Sequence, residues 1–396
     1  MDMNMRAYKY RITPTHKQAQ TLQWILARCR ELYNAALQER RDAYRMAGKS
    51  ITYYDQCAQL PAVKEVREEY RDIHSQVLQE VLHRVDRAMN AFFRRVREHT
   101  EEPGFPRFQG RERYDSFCYP QGGFSLTHDN RVCLSKVGSI KVKLHRPLEG
   151  KIKTCTIKRE GEYWYVVFAC AVEQSEPLPS SDEAVGVDLG LLHFATLSTG
   201  KTIENPRYLR HAEKKLKKLQ AALSRKKRGS HRRKKAKQAV AKAHRKVSNQ
   251  RQDFLHKESR QLVNAYGVIV FEELQPVNMS KKPKPKRDET TNEYLPNGAS
   301  AKGGLNKSIN DAGWGLFVAM CSYKAANAGR TVVTVNPRAT SQMCSACGTV
   351  RKKTLEERWH SCECGCELDR DHNAAINILR LGRSQRGTPR VETSSF

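Results

Sequence analysis

Three short acidic islands stand out in a strongly basic chain: Val187-Asp188-Leu189-Gly190, Val270-Phe271-Glu272-Glu273 and Asp369-Arg370-Asp371. Carboxylates are hard oxygen donors. Three or four of them brought together can hold two divalent ions about 4 Å apart, one activating water and the other stabilising the leaving oxygen of a phosphodiester. The expected chemistry is therefore hydrolysis of nucleic acid with magnesium, or manganese in its place. Asp188 ends an apolar strand-like run beside Gly190, where the missing side chain leaves room for a phosphate. Glu272 ends a second apolar run, and Asp371 opens a helix-like stretch, where its charge meets the positive end of the helix dipole. Glu273 and Asp369 are adjacent carboxylates that compete for two of these assignments.

A second constellation is made of sulfur. Of the 12 cysteines, five fall between Cys344 and Cys366. Cys344-Ser-Ala-Cys347 and Cys362-Glu-Cys364-Gly-Cys366 read as two knuckles of a tetrahedral thiolate zinc site. Cys344, Cys347, Cys362 and Cys364 are the preferred ligands, with Cys366 competing for the fourth position and His360 as a further donor. Four available sulfurs argue for a closed, structural ion.

These residues need elements to position them. Met5 to Ile12 alternates like a strand, and Thr15 with Gln18 forms a capping-box pattern before apolar stripes at helical spacing, from Leu22 to Leu37 and from Val77 to Phe92. Residues 1–14 are thus expected as the first strand of a β domain, 15–103 as a helical domain inserted into it, and 104–180 as the remainder of that domain. Its strands are expected at Phe124–Leu126, Arg131–Leu134, Ser139–Leu144, Lys151–Arg159 and Tyr163–Val172. From 181 to 380 strands and helices alternate. Strands are expected near Val185–Val187, His193–Leu197, Lys201–Ile203, Gly267–Phe271 and Thr331–Val335. A polar helical hairpin follows the third of them, and helices are expected at Ser308–Ala328 and Asp371–Leu379. A cysteine-rich insert at about 338–368 interrupts this region, whose order of elements resembles the ribonuclease-H-like fold. Ser280 to Leu305 is expected as a mobile loop and 381–396 as a disordered tail.

The 396-residue chain carries 71 Lys and Arg against 42 Asp and Glu, a net charge of +29, and the natural partner of such a surface is a phosphate backbone. The charge is concentrated between Arg207 and Lys257, on the expected hairpin. No secretory signal pattern opens the chain, and its longest apolar run is too short to span a bilayer, so a cytoplasmic protein with no membrane partner is expected.

Together these motifs resemble the TnpB family of transposon-encoded RNA-guided DNA endonucleases, relatives of type V CRISPR effectors. The carriers are Gly186-Val-Asp188-Leu-Gly190, Phe271-Glu272-Glu273-Leu274, Ser308 through Trp314 with Phe317, Pro337 through Gly348, Cys364-Gly365 and Asp369-Arg-Asp371-His-Asn373-Ala-Ala. Gly104-Phe-Pro-Arg-Phe and Tyr114-Asp-Ser-Phe117 add an N-terminal match. The resemblance implies an α+β multidomain fold: a split β-barrel wedge domain with an inserted helical recognition domain, then a RuvC nuclease domain with an inserted zinc ribbon. It places the nuclease acids at Asp188, Glu272 and Asp371. It also implies a guide RNA from the transposon end, recognition of a short transposon-adjacent motif in double-stranded target DNA, an R-loop and cleavage of both strands. Tyr53, Tyr54, Gln76 and Gln79 are hypothetical readers of that motif. The alternatives are a nuclease-silent RNA-guided DNA-binding regulator and a DNA transposase or recombinase. The Cys-x-Cys knuckle departs from the common Cys-x-x-Cys.

Overall fold

The computed structural model describes residues 4–99, 103–173, 176–288, 290–354 and 357–387. The chain divides into two compact α+β units, Met1–Gln174 and Ser175–Phe396.

In the first unit, β1 (Asn4–Thr13) leads into three helices, α1 (His16–Ala47), α2 (Tyr53–Val66) and α3 (Ser75–Glu98). The chain then forms β2 (Ser116–Tyr119), β3 (Phe124–Leu126), β4 (Arg131–Leu134), β5 (Gly138–Lys143), β6 (Lys151–Glu160) and β7 (Tyr163–Val172). The capping box at Thr15 and Gln18 is formed, and Thr52 with Asp55 repeats it at the start of α2, so at each helix start two N–H groups are satisfied locally. Leu22, Ile25, Leu26 and Cys29 of α1 and Val77, Leu78, Val81 and Leu82 of α3 are buried in one core with the sheet. The strand order is β2-β6-β7-β1-β5-β4-β3. β1 thus lies inside the sheet, antiparallel to both β7 and β5. The helical block leaves the sheet after β1 and the chain returns at β2, a strand that the sequence reading did not separate from the turn before it.

The second unit begins with β8 (Ala184–Leu189), β9 (His193–Leu197) and β10 (Thr202–Glu204), then the cationic hairpin α4 (Tyr208–Ser224) and α5 (His231–Ala265). Next come β11 (Val268–Glu272), α6 (Pro276–Met279), β12 (Lys286–Arg287), β13 (Tyr294–Leu295), α7 (Ala299–Ala312) and α8 (Trp314–Asn327). β14 (Thr331–Val335), β15 (Trp359–Ser361), β16 (Glu367–Asp369) and α9 (Arg370–Gly387) close the unit. Its main sheet has the order β10-β9-β8-β11-β14, with β8, β11 and β14 mutually parallel and β9 antiparallel to β8 and β10.

Strand side chains alternate between faces. Val185, Val187, Ile269 and Phe271 join Leu255, Leu262 and Val263 of α5 and Phe317, Met320 and Cys321 of α8 in one core. Val268 and Val270 pack instead with Ile378 of α9 and Val335. The sheet is therefore covered on both faces, and Asp188 and Glu272 belong by alternation to the face that carries α9.

Three expectations are corrected. The helix read as continuous over Ser308–Ala328 is two helices, because Gly313 adopts a left-handed backbone (φ 72°) that caps α7 and starts α8. The segment read as a loop from Ser280 to Leu305 contains the β12–β13 ladder and the beginning of α7. The tail expected from 381 is helical to Gly387. Gly382 lets α9 continue across the sheet, since a methyl group there would come within 2.5 Å of the Val270 side chain. Residues 388–396, the rest of that expected tail, lie outside the described residues. No helix among the described residues is long and apolar enough to cross a membrane.

Candidate active site and cysteine-rich insert

β8 and β11 pair in parallel with Val187 opposite Phe271, so Asp188 and Glu272 each stand one residue beyond the same register pair. Neighbouring strands lie about 4.8 Å apart, which puts the two carboxylates side by side on one face. α9 packs on that face at Gly186, and Asp371 lies in its first turn, four residues before Ala375, the residue that touches Gly186. A methyl group built on Gly190 would lie 3.8 Å from Asp371 Oδ2, so the turn after β8 closes the same space. The three acids named from sequence are brought together.

Their surroundings oppose ionisation. Burial first, then the charges of Glu272 and Asp371, push the Asp188 carboxyl well above its ordinary range. Burial raises Glu272 as well, opposed by a hydrogen bond that the Thr340 hydroxyl donates to its Oε1. Asp371 is raised by burial and then by Asp369, with Arg358, Arg370 and His193 acting against them. Carboxylates that repel one another in a part-buried site are relieved by a divalent cation, and the hard-oxygen donor set fits magnesium or manganese.

The neighbours that competed in the sequence do other things. Glu273 is exposed. Asp369 accepts hydrogen bonds from the backbone N–H groups of Asp371 (2.8 Å) and His372 (3.2 Å), the geometry of an N-cap.

In the insert, the Sγ atoms of Cys344, Cys347, Cys362 and Cys364 all lie within 4.8 Å of one another. Cys344 is 3.7 Å from Cys364, and Cys347 is 3.5 Å from Cys362. Sulfurs at 2.3 Å from a tetrahedral zinc would be about 3.8 Å apart, whereas a disulfide would bring them to about 2.05 Å. The donor set thus fits a thiolate-bound metal, and the Thr349 hydroxyl 3.3 Å from Cys347 draws that thiol down to about 6. The Cys366 sulfur faces the Ser345 hydroxyl at 3.9 Å.

The insert is tied to the acid-bearing helix. Asn373 accepts from Ser345 N (2.9 Å) and donates to Met343 O (2.8 Å), while Asn377 donates to Thr340 O (2.9 Å) and Met343 O (2.7 Å). Arg370 reaches Thr354 O (2.7 Å) and Glu357 O (3.3 Å). Thr340, Asn373 and Asn377 are buried polar residues that the sequence reading assigned no role, although Asn373 and Thr340 lie within motifs it quoted.

A cavity of about 620 Å³ is lined by Arg207, Arg210, Lys217, Lys307 and Arg358, with Glu213 and Asp311 among them and Leu191 and Leu192 at one wall, and Arg358 links it to Asp371, whose carboxyl it acts on. Its cations come from α4, α7 and the insert, so no single charge run announced it. In the first unit, Gln76 Oε1 accepts from Gly122 N (2.9 Å), which occupies that amide oxygen in holding a turn. Gln79 is exposed one turn before His83, whose ring lies 5.5 Å from that of Tyr53. Tyr54 is 79% exposed, enough for its ring to meet a partner.

Three family models match the chain: one described as "Probable transposase" over residues 167–282, one as "Cas12f1-like, TNB domain" over 314–378, and one as "Helix-turn-helix domain" over 1–49. The described part of that last segment is a strand and one long helix, β1 and α1. The chain is 33% identical over 390 residues to a Streptomyces pristinaespiralis protein named "Putative RNA-guided DNA endonuclease", covering 96% of this chain and 90% of the relative. It is 32% identical over 384 residues to "Putative RNA-guided DNA endonuclease InsQ" of Escherichia coli (strain K12), with 96% and 93% covered. A solved structure described as "Structure of the mini-RNA-guided endonuclease CRISPR-Cas_phi3" aligns with a TM-score of 0.49 at 11% identity, covering 96% of this chain and 92% of that one.

Proposed function

This chain belongs to the TnpB family, and from that premise we propose that it is a magnesium-dependent DNA endonuclease directed by a guide RNA. The observation that carries the proposal is the meeting of Asp188, Glu272 and Asp371 on one face of the β8–β11 pair under α9. The strand order β10-β9-β8-β11-β14, with its second strand antiparallel to the parallel core, supports reading this unit as a ribonuclease-H-like (RuvC) nuclease domain.

Asp188, Glu272 and Asp371 would hold two magnesium ions, which when bound supply water activation and stabilisation of the leaving oxygen. The chain's own groups prepare that arrangement. Thr340 orients Glu272, Asp369 fixes the first turn that presents Asp371, and Gly190 keeps the approach to both free of a side chain. Arg207, Arg210 and Arg358 line the adjoining cavity and would bind the phosphates on either side of the scissile bond. The four thiols of the insert would hold a structural zinc and, through Asn373 and Asn377, fix the seat of α9.

Likeness to proteins named as RNA-guided endonucleases supports the remaining assignments. These are a guide RNA derived from the transposon end, a short adjacent motif in the duplex and an R-loop that exposes the strand to be cut. The split seven-stranded sheet would be the wedge domain, α1 to α3 the recognition domain, and Tyr54 and Gln79 the most available contacts to the adjacent motif.

The test is to purify the protein with its co-expressed RNA, sequence that RNA, and offer matching targets with randomised flanks. Magnesium-dependent double-strand cleavage that disappears in Asp188→Ala while binding persists is expected. Guide-dependent binding without cutting by the wild-type protein would instead establish a nuclease-silent regulator, and strand joining in place of cleavage would establish a transposase.

A further inference from the structure

The insert holds more donors than one tetrahedral ion can use. Cys344, Cys347, Cys362 and Cys364 form one set, and Cys344, His360 and Cys366 form another, with donor atoms also within 4.8 Å of one another. The second set has a feature that the packing around it does not explain. His360 is only 1% exposed, its Nδ1 is engaged by Lys353, and its Nε2 is buried with no hydrogen-bond partner among the described residues. A buried ring nitrogen without a partner is destabilising, and in the tautomer that carries its proton on Nδ1, with the neutral Lys353 amine as acceptor, Nε2 offers its lone pair to a cation. Two thiols lie within reach of that imidazole, and imidazole with thiolate is a donor set for soft or borderline cations such as zinc.

The backbone makes the arrangement rigid. β15 and β16 pair across His360 and Leu368, and the turn between them is closed by Cys362 N to Cys366 O (3.1 Å) and Gly365 N to Cys362 O (2.9 Å). Cys366 is thereby held beside Ser345 and within 4.8 Å of Cys344, while Cys362 turns toward Cys347 and Cys364 toward Cys344.

We infer that the insert binds two thiophilic cations: one on Cys344, Cys347, Cys362 and Cys364, and a second on Cys344, His360 and Cys366, with the Cys344 thiolate bridging the pair. This rests on the reading of the four-thiol set as a zinc site. The second ion has three protein donors and so keeps one position open to water or another small ligand, unlike the closed first site.

Metal content is measured on the full chain, saturated with Zn²⁺ and passed through gel filtration, and the same protein loaded with ¹¹³Cd²⁺ is examined by NMR. Two ions per chain are expected for the wild type, with two cadmium resonances coupled through the shared sulfur. One ion is expected in both His360→Gln and Cys366→Ser, with unchanged circular dichroism. His360→Gln keeps the test decisive if the cysteine variant does not fold. A wild type that binds only one ion would overturn the second position alone, whether that ion persists in both variants or is lost in Cys366→Ser, the latter making Cys366 a ligand of the first site. A wild-type chain that retains no ion would overturn the four-thiol reading itself.

Discussion

Gly186 and Ala375 meet backbone to backbone: a methyl group added to Gly186 would stand 2.1 Å from the Ala375 carbonyl oxygen and 2.6 Å from Leu379 N. This contact sets the level at which α9 crosses β8. From Gly186 to Asp188 the strand advances about 6.6 Å, and from Ala375 back to Asp371 the helix rises about 6 Å, so the two acids arrive at the same height. Gly186→Ala must push the helix away, a change of the overpacking kind that costs about 1–3 kcal/mol. The expected result is a folded protein whose cleavage falls at least about 100-fold, as misplacement of about 1 Å can cause. Cleavage and circular dichroism measured together check it, and wild-type activity in this variant would refute the seating argument.

Asp369 and Asp371 should separate cleanly under substitution. Asp369 accepts two N–H groups at the start of α9, so Asp369→Ala should lower stability by about 0.5–2 kcal/mol, the usual cost of losing an N-cap. Asp371 adds to the repulsion among the acids, so Asp371→Ala should abolish cleavage without loss of stability. Denaturant melts and cleavage assays on both variants check the assignment. Complete inactivation by Asp369→Ala at unchanged stability would reverse the two roles.

Magnesium and pH should act on stability together. Asp188, Glu272 and Asp371 all have raised folded-state values, chiefly from burial. Below about pH 4 these groups are protonated in both states. Above it the unfolded chain releases its protons first, so the metal-free protein loses stability as pH rises through the raised folded values. A cation that binds only the folded, ionised site reverses this, by about 2.7 kcal/mol at 100 times its Kd. Calorimetry should therefore show a larger magnesium-induced rise in Tm at pH 8 than at pH 5. Asp188→Asn should melt higher than wild type without metal at pH 8 and respond little to magnesium; an undiminished response would place the ion elsewhere.

Much of this site was legible because strand-end acids and knuckle cysteines depend on local pattern. Asp188 and Glu272 follow apolar runs whose alternation fixes their face once β8 and β11 pair in parallel. What could not be read locally was set by contacts distant in sequence. The break at Gly313 lies in a segment whose apolar spacing runs through it, and only the left-handed backbone ends the helix. Thr340 carries no local signal in the sequence, and its bond to Glu272 exists only because the insert folds back onto α9. The continuation of α9 beyond 381 depends on Gly382 passing against Val270, a contact that composition does not foretell.

The basic cavity predicts a salt signature. If Arg210 and Arg358 contact phosphates of a single strand, each should contribute about 0.7 to the slope of log K against log salt. Arg210→Ala and Arg358→Ala should each weaken binding of a single-stranded DNA probe and flatten the slope by about that amount, and the double variant should lose both increments. Fluorescence anisotropy across a salt series checks this. Unchanged slopes would remove the cavity from the path of the nucleic acid.

Loss of metal from the insert should reach the acids through named bonds. Asn373 and Asn377 hold Met343 O, Asn373 also accepts from Ser345 N, and Asn377 holds Thr340 O. Thr340 in turn orients Glu272. A folded insert thus presents Thr340 to Glu272, and without metal the insert is held by the short β15–β16 ladder and the Met343–Val350 bridge. Cys347→Ser removes a donor that makes none of these bonds itself, so a catalytic effect of that variant must pass through the fold of the insert. It should lose metal, open residues 338–368 to proteolysis and lower cleavage, while the rest of the second unit keeps its hydrogen-exchange protection. Cleavage at the wild-type rate from a chain shown to lack the ion would mean that Asn373 and Asn377 hold the Thr340 turn without the metal.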